Sequence, residues 1–317
     1  MVKESADVAP PLSGILERFS KQRSAFPQPT TFFLAKQFYA DAIEYTGSPV
    51  GSRGLLLFVT AVTATVGLWG SQDILFNVVD YEAMELVDLV GILSATIFIC
   101  VSLYLLGLGS RLELFRPFDE PTIFDRKNRK VYRNYREASL HWRGLLRRWP
   151  CKTDSYEWDN VHAEHHATVN ANSATVSRAH SLVFIVQKSS DDPTVVAQFG
   201  IGGIQMGEVS VPAVWEHIRQ FMEESGPHVP AGEPLLQIKP PTSFWQILSD
   251  MGPYGKSLGT WWRVQKVMTI SAYLFAPILV PGCIVLAICT WLSYKTAVPL
   301  DWPQDVLNAV GQPISQS

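Results

Sequence analysis

An excess of charge of one sign is missing from this chain. Its 26 lysines and arginines nearly balance 29 aspartates and glutamates over 317 residues, so nothing in the overall charge suggests nucleic acid as a partner. Cysteine is scarce as well. Of the four, Cys100, Cys283 and Cys289 fall inside apolar runs and Cys151 stands alone in a polar block, which argues against a disulfide framework and reads as small apolar fillers. The N-terminal stretch has no apolar core, so no cleaved signal peptide is expected, and the first apolar run is expected to act as the uncleaved targeting element.

Complete catalytic motifs are also lacking. Gly200 to Gln205 follows a strand pattern as a dinucleotide loop would, but ends in Gln205, and Gly202 to Gly207 carries Glu208 where a phosphate loop needs lysine. Gly255 to Gly259 has the spacing of a nucleophile elbow around Ser257, without a preceding strand or a following histidine. The cluster His162-Ala-Glu164-His165-His166 begins like a zinc-deaminase signature, yet no Pro-Cys-x-x-Cys follows. It reads as a solvated strand-and-loop surface, sensitive to pH near ~6–7. The expectation is a protein that is not an enzyme and holds no cofactor or metal.

What the chain does have is long apolar runs. Leu86 to Leu108 carries Asp88 as its only charge, close to one end; roughly 20 such residues cross the ~30 Å hydrocarbon core as a helix. Gly54 to Gly70 and Met268 to Leu292 read the same way, so the expected fold class is an α-helical membrane protein with three spans plus one cytoplasmic α+β domain. The expected order is a cytoplasmic segment 1–53, span 54–70, external loop 71–85, span 86–108, cytoplasmic domain 109–230, juxtamembrane linker 231–267, span 268–292 and external tail 293–317. Orientation follows from charge. Lys3, Arg18, Lys21, Arg23, Lys36 and Arg53 precede the first span, Ser71 to Val87 holds four acids and no Lys or Arg, and a basic run from Arg111 to Arg136 follows the second span. By the positive-inside rule the N-terminus and the polar block are cytoplasmic. Small residues (Thr60, Ala64, Gly67; Gly91, Ser94, Ala95) predict close packing of the first two spans, and Pro277 and Pro281 predict a kink in the third.

Within the polar block, Thr122–Phe124 and Val131–Tyr132 around Asp125–Lys130 read as a β-hairpin. Ser155–Trp158, His166–Val169, Ser181–Gln187 and Thr194–Phe199 read as strands, and Pro212–Glu224 as a closing helix with Ser210 as N-cap and Trp215 as its core anchor. Antiparallel strands closed by one C-terminal helix suggest a sandwich or open barrel of the pleckstrin-homology type. Upstream, the spacing of Phe32, Ala35, Phe38, Tyr39, Ala42 and Ile43 predicts an amphipathic helix over Thr31–Tyr45, and Gly14–Phe19 a helical turn. Residues 1–30 are expected to be poorly ordered. Phe244–Leu248 is expected to lie along the inner membrane surface or to be plain linker. Arg126, Lys127, Arg129, Lys130 and Arg133 could contact anionic headgroups, at about 1 kcal/mol each, or a partner protein, although as an orientation signal the run needs no further role.

PAVWEHIRQFMEESGP and FDRKNRKVYR, about 85 residues earlier, together with the flanking spans, resemble a family of proteobacterial membrane proteins with a domain of unknown function. The resemblance covers residues 54 to 295, with Trp215, Arg219 and the Arg126–Tyr132 hairpin as diagnostic positions. It implies loci near type VI secretion effector genes, hence an immunity or accessory role: a protein partner, such as a cognate toxin, is expected to be bound without turnover. The alternative is a membrane-anchored scaffold or anionic-lipid-sensing module.

Overall fold

The computed structural model describes residues 14–47, 53–139, 141–147, 149–171, 176–189, 191–230, 232–237 and 239–314; the stretch 1–13 lies outside them. The segment before the first span is built into the domain as strands β1 (Gly14–Arg18), β2 (Ala35–Phe38) and β3 (Ala42–Tyr45), where a helical turn, an amphipathic helix and poor order were expected. Ala35, Ala42, Ile43 and Tyr45 are all buried. Their spacing suits one face of a helix, but in the fold β3 pairs with a strand some 80 residues later, and that pairing decides the matter.

Helix α1 (Leu55–Asp73) continues through a π-turn to Val78, and α2 (Leu86–Glu113) returns beside it; both are long and apolar enough to cross a membrane. Their contact is a seam of small residues. α1 buries Leu57, Ala64 and Ser71, and α2 buries Asp88, Ala95, Ser102 and Gly109; a seven-residue repeat keeps one line of side chains facing the partner helix. A Cβ on Gly109 would stand 2.0 Å from the Thr60 hydroxyl and one on Gly67 2.2 Å from that of Ser102. Asp88 has a local duty, closing a capping box with Glu85 at the start of α2.

The domain proper follows. β4 (Thr122–Asp125) and β5 (Lys130–Arg136) form the expected hairpin, and α3 (Trp142–Leu146) leads to β6 (Cys151–Glu157). β7 (Val161–Ala171), β8 (Val176–Gln187) and β9 (Val195–Met206) are longer than the sequence suggests. Two antiparallel sheets result, ordered β2-β3-β4-β5-β6 and β1-β7-β8-β9. The Gly-rich stretch that imitates nucleotide loops is the kinked half of β9: Gly202 and Gly203 have φ of 71° and 77° and the register with β8 shifts there. α4 (Ser210–Glu223) closes the core, burying Val211, Val214, Trp215, Ile218, Phe221 and Met222; Ser210 lies inside the helix rather than capping it. Ser225, with φ of 54°, and the Gly226 amide bonded to the Gln220 carbonyl end it.

The C-terminal third departs furthest from expectation. Residues 231–267 hold more than a linker: α5 (Phe244–Asp250) and α6 (Leu258–Val264) lie there, followed by α7 (Lys266–Leu274), the apolar α8 (Ala276–Lys295) and α9 (Gln304–Val310). The helix breaks at Phe275, with Pro277 in the first turn of α8 and Pro281 inside it. α5 packs along α8 with Ile247 buried, and the Tyr254 and Tyr273 hydroxyls donate to the carbonyls of Ala272 and Pro253. The chain thus runs from the domain along α8, turns, and returns through α8 to the domain.

The returning end is pinned at one junction. Buried Arg53 donates to the Ser293 carbonyl (3.1 Å) and to the carbonyls of Arg116 (2.9 Å) and Pro117 (2.7 Å), and the buried Glu113 carboxylate accepts the amides of Gly54 (3.0 Å) and Leu56 (3.3 Å). The start of α1, the end of α2 and the end of α8 therefore meet. Beyond it, Val306 and Val310 of α9, with Trp302, pack on Tyr39, Ala42, Ile123 and Tyr132, and the Ile314 amide donates to the Phe38 carbonyl. The tail expected on the opposite side of the membrane from the domain is part of the domain. A count of apolar runs does not reveal this return, because the stretch from residue 240 to 265 that precedes it carries Asp250, Lys256, Arg263, glycine and proline and does not read as a span.

Candidate functional site

The domain has two ends. Tyr45 and Thr122 are register partners at the end joined to α2 by residues 114–121, whereas Ala42 and Asp125, with the β4–β5 turn, mark the remote end. The predicted basic residues cluster around that remote turn, and most are already paired. Arg126 reaches Asp41 (2.9 Å), Lys130 reaches Glu157 (3.5 Å) and Arg133, further along β5, reaches Glu120 (3.7 Å); Lys127 is exposed. Arg129, in a left-handed conformation at the turn (φ 51°), is held by Asp159 (2.7 Å) and Glu223 (3.2 Å). Of the five, Arg129 is the one that lines a cleft.

That cleft, of about 570 Å³, lies where residues 19–22, the turn after β6, the start of β7 and the last turns of α4 converge. Phe19 and Trp215 stack in its wall with ring centres 5.7 Å apart. Lys21 is drawn in from the segment after β1: its ammonium donates to the Trp158 carbonyl and sits 4.5 Å from that indole. Burial holds the amine down at about 8. Trp158 in turn donates its indole N–H to Glu223 (2.6 Å), and Arg219 donates to Glu224 (2.7 Å) and to the Lys21 carbonyl (3.3 Å). Cations from three segments thus alternate with acids from two. Such a surface offers charge-assisted hydrogen bonds of both senses over an aromatic floor, which suits a polar polypeptide segment.

Beneath it, Glu216 and Arg219 form a buried bidentate pair (2.7 and 3.0 Å), and the Ala25 amide adds a third bond to the carboxylate (2.8 Å). Burial works to raise the Glu216 pKa, but the bonds from Arg219, Ala25 and Gln220 outweigh it and hold the carboxyl at about 2. Sequence reasoning named Trp215 as a core anchor, Arg129 as a lipid or partner contact and Arg219 as a diagnostic position, and missed Lys21, Asp159 and Glu223 as site residues. No local signal marks them, because Lys21 and Trp158 lie 137 residues apart.

The histidine cluster is divided by strand alternation. Glu164 and His166 share one face (2.8 Å) with Arg18 (3.0 Å from Glu164), while His165 turns inward to His180 (2.9 Å). Among the described residues no three His, Cys, Asp or Glu side chains converge as a metal site. His217 is buried between the Tyr45 hydroxyl (2.6 Å) and the Pro227 carbonyl (3.2 Å). Burial holds both His165 and His217 at about 4. An unfolded chain takes up these protons near the ordinary value of 6.5, so their contribution is complete above that pH and is lost as pH falls towards 4. The thermal midpoint should hold between pH 8 and 7 and fall from about 6.5 downwards, by on the order of a few kcal/mol of stability in all. A flat profile from pH 7 to 4.5 in a thermal melt would show that the two rings are not buried as neutral groups.

No curated protein and no solved structure matches this sequence. A family profile does match, over residues 98–310, from the middle of α2 to the end of α9. The match takes in the hairpin, the cleft residues of β7 and α4 and the returning tail, well over half of the chain, and the protein therefore belongs to the DUF6708 family, a family of unknown function.

Proposed function

We propose that this protein is a non-enzymatic, membrane-anchored module whose cytoplasmic α+β domain binds another protein through the cleft around Lys21, Arg129, Arg219 and Glu223. The observation that carries this reading is position: this polar cleft with its aromatic wall opens beside the β4–β5 turn, at the end of the domain remote from the membrane helices, where a soluble partner can reach it. The finer fold reading is of the pleckstrin-homology type. Strands β3 to β9 followed by α4 run in the order of two sheets and a closing helix, with the α1–α2 hairpin inserted after the first strand.

Within this reading the partner is a type VI secretion toxin or its accessory, and the protein an immunity or accessory factor at the bacterial inner membrane. Holding the domain at the membrane raises its local concentration against a partner that acts there. The anionic-lipid alternative is weakened by the pairing of Arg126, Arg129, Lys130 and Arg133 with acids and by the remoteness of their turn. Competition between a deletion strain and its parent, with and without active secretion, tests the proposal. The deletion should lose survival only against secreting neighbours, and restoring the gene with Lys21→Glu and Arg129→Glu should fail to rescue at equal protein level. Equal survival of deletion and parent against every neighbouring toxin would sink the immunity reading.

A further inference from the structure

The end of the domain that faces the helices carries exposed aromatic side chains on a backbone built to hold them out. Phe32 and Phe33 follow one another with φ of 50° and 57°, and their side chains are 46% and 53% exposed. A bulky residue in the left-handed region is disfavoured, and two in succession persist only where the surroundings impose them. They are imposed here by Glu233, whose carboxylate accepts the Thr31 amide (2.8 Å) and both the Thr30 and Thr31 hydroxyls; the Thr30 hydroxyl in turn accepts the Phe32 amide (3.0 Å). Thr31 is fully buried beneath the pair. The Leu34 amide closes on the Thr31 carbonyl and its carbonyl accepts the Thr46 amide (both 3.0 Å), which fixes the loop to the residue that follows β3.

Direction settles what the pair faces. β2 pairs Ala35 with Tyr45, and Tyr45 is also the partner of Thr122. The Phe32–Phe33 loop therefore extends past the same sheet end from which the chain leaves for α1 and to which it returns from α2. A third phenylalanine repeats the pattern there. Phe115, two residues beyond α2, has φ of 62°, is 49% exposed, and directs its amide to Thr296 just after α8. Trp291, Tyr294 and Lys295 at the end of α8 line a groove with Phe118, which stacks on Tyr294, three residues after Phe115; aromatic and basic residues of this kind mark a membrane–water boundary.

The geometry points to a lipid-docking foot: Phe32 and Phe33 insert into the headgroup–acyl boundary of the bilayer crossed by the protein's own helices, so that the domain rests on the membrane through a fixed aromatic loop as well as through its covalent connections. This is a lipid contact at the opposite end of the domain from the basic hairpin, and it depends on the three apolar helices, not on the toxin-binding reading. Glu233 gives the foot its rigidity.

The test uses the full-length chain with its four cysteines replaced, reconstituted in vesicles of phosphatidylcholine and phosphatidylglycerol. A nitroxide label is placed in turn at Phe33, at Phe115 and, as the aqueous reference, at Asn128. Collision with oxygen should exceed collision with a water-soluble nickel chelate severalfold at Phe33 and Phe115, and the order should reverse at Asn128. In detergent-free vesicles a Glu233→Ala variant labelled at Phe33 should lose most of that preference for oxygen while the Asn128 spectrum is unchanged. Ready access of the nickel chelate to Phe33 would overturn the proposal. So would protection of Phe33 from both reagents, which would instead mean that another protein surface covers the loop.

Discussion

A cysteine introduced at Asn308 in α9 should react with a membrane-impermeant maleimide from the same side of the membrane as one at Pro193 in the β8–β9 turn, and one at Glu82 from the other. All three positions are exposed, so reactivity reports sidedness. The expectation rests on Trp302, Val306 and Val310 sharing a cluster with Tyr39, Ala42, Ile123 and Tyr132, and on the Ile314 amide bonding Phe38. A bilayer cannot lie between groups in contact. This arrangement predicts an even number of membrane crossings between the domain and its tail, with the stretch of α5 to α7 beside α8 as the expected outward path. With the positive-inside orientation proposed above, only the cysteine at Glu82 should be labelled in intact cells, in a background whose native cysteines have been replaced. Labelling at Asn308 and Glu82 together, with Pro193 protected, would separate the tail from the domain and overturn this arrangement.

Replacing Trp215 by alanine should unfold the domain or bring it close to unfolding. Truncation of a buried tryptophan costs about 3–5 kcal/mol, against a total of roughly 5–15 kcal/mol for a typical domain. Trp215 is completely buried, and its indole meets Phe19 of the N-terminal segment (5.7 Å), Trp158 after β6 (6.0 Å) and Phe184 of β8 (6.2 Å). Its loss would therefore loosen both sheets and the incoming strand β1 together. Trp215→Phe should cost distinctly less, because it keeps most of the ring volume and removes an indole N–H that meets no acceptor among the described residues. Thermal melts of the purified full-length protein decide it, and an unchanged midpoint for Trp215→Ala would mean that α4 is not packed as described.

Sequence by itself determined the features whose cause is local. An uninterrupted apolar run needs no partner to favour lipid, so α1, α2 and α8 were legible, as were the β4–β5 hairpin around its polar turn and α4 from its repeating buried face. The paired hairpin of α1 and α2 was readable from its small residues. Tertiary structure decided the rest. Gly14–Arg18 and Ala42–Tyr45 became strands because β7 and β4 offered open edges to them, a fact held in pairings such as Ile15 with His166 and Ile43 with Phe124. The tail became part of the domain because Val306 and Val310 found an apolar patch that Tyr39 and Ala42 make with Ile123 and Tyr132. The cleft owes its existence to the same distant meetings: Lys21, Asp159 and Glu223 each look like ordinary surface charges in the sequence. Only when β1 is drawn across β7 do they fall on one wall, since the free energy that brings them together comes from the buried aromatic core beneath, not from the charges themselves.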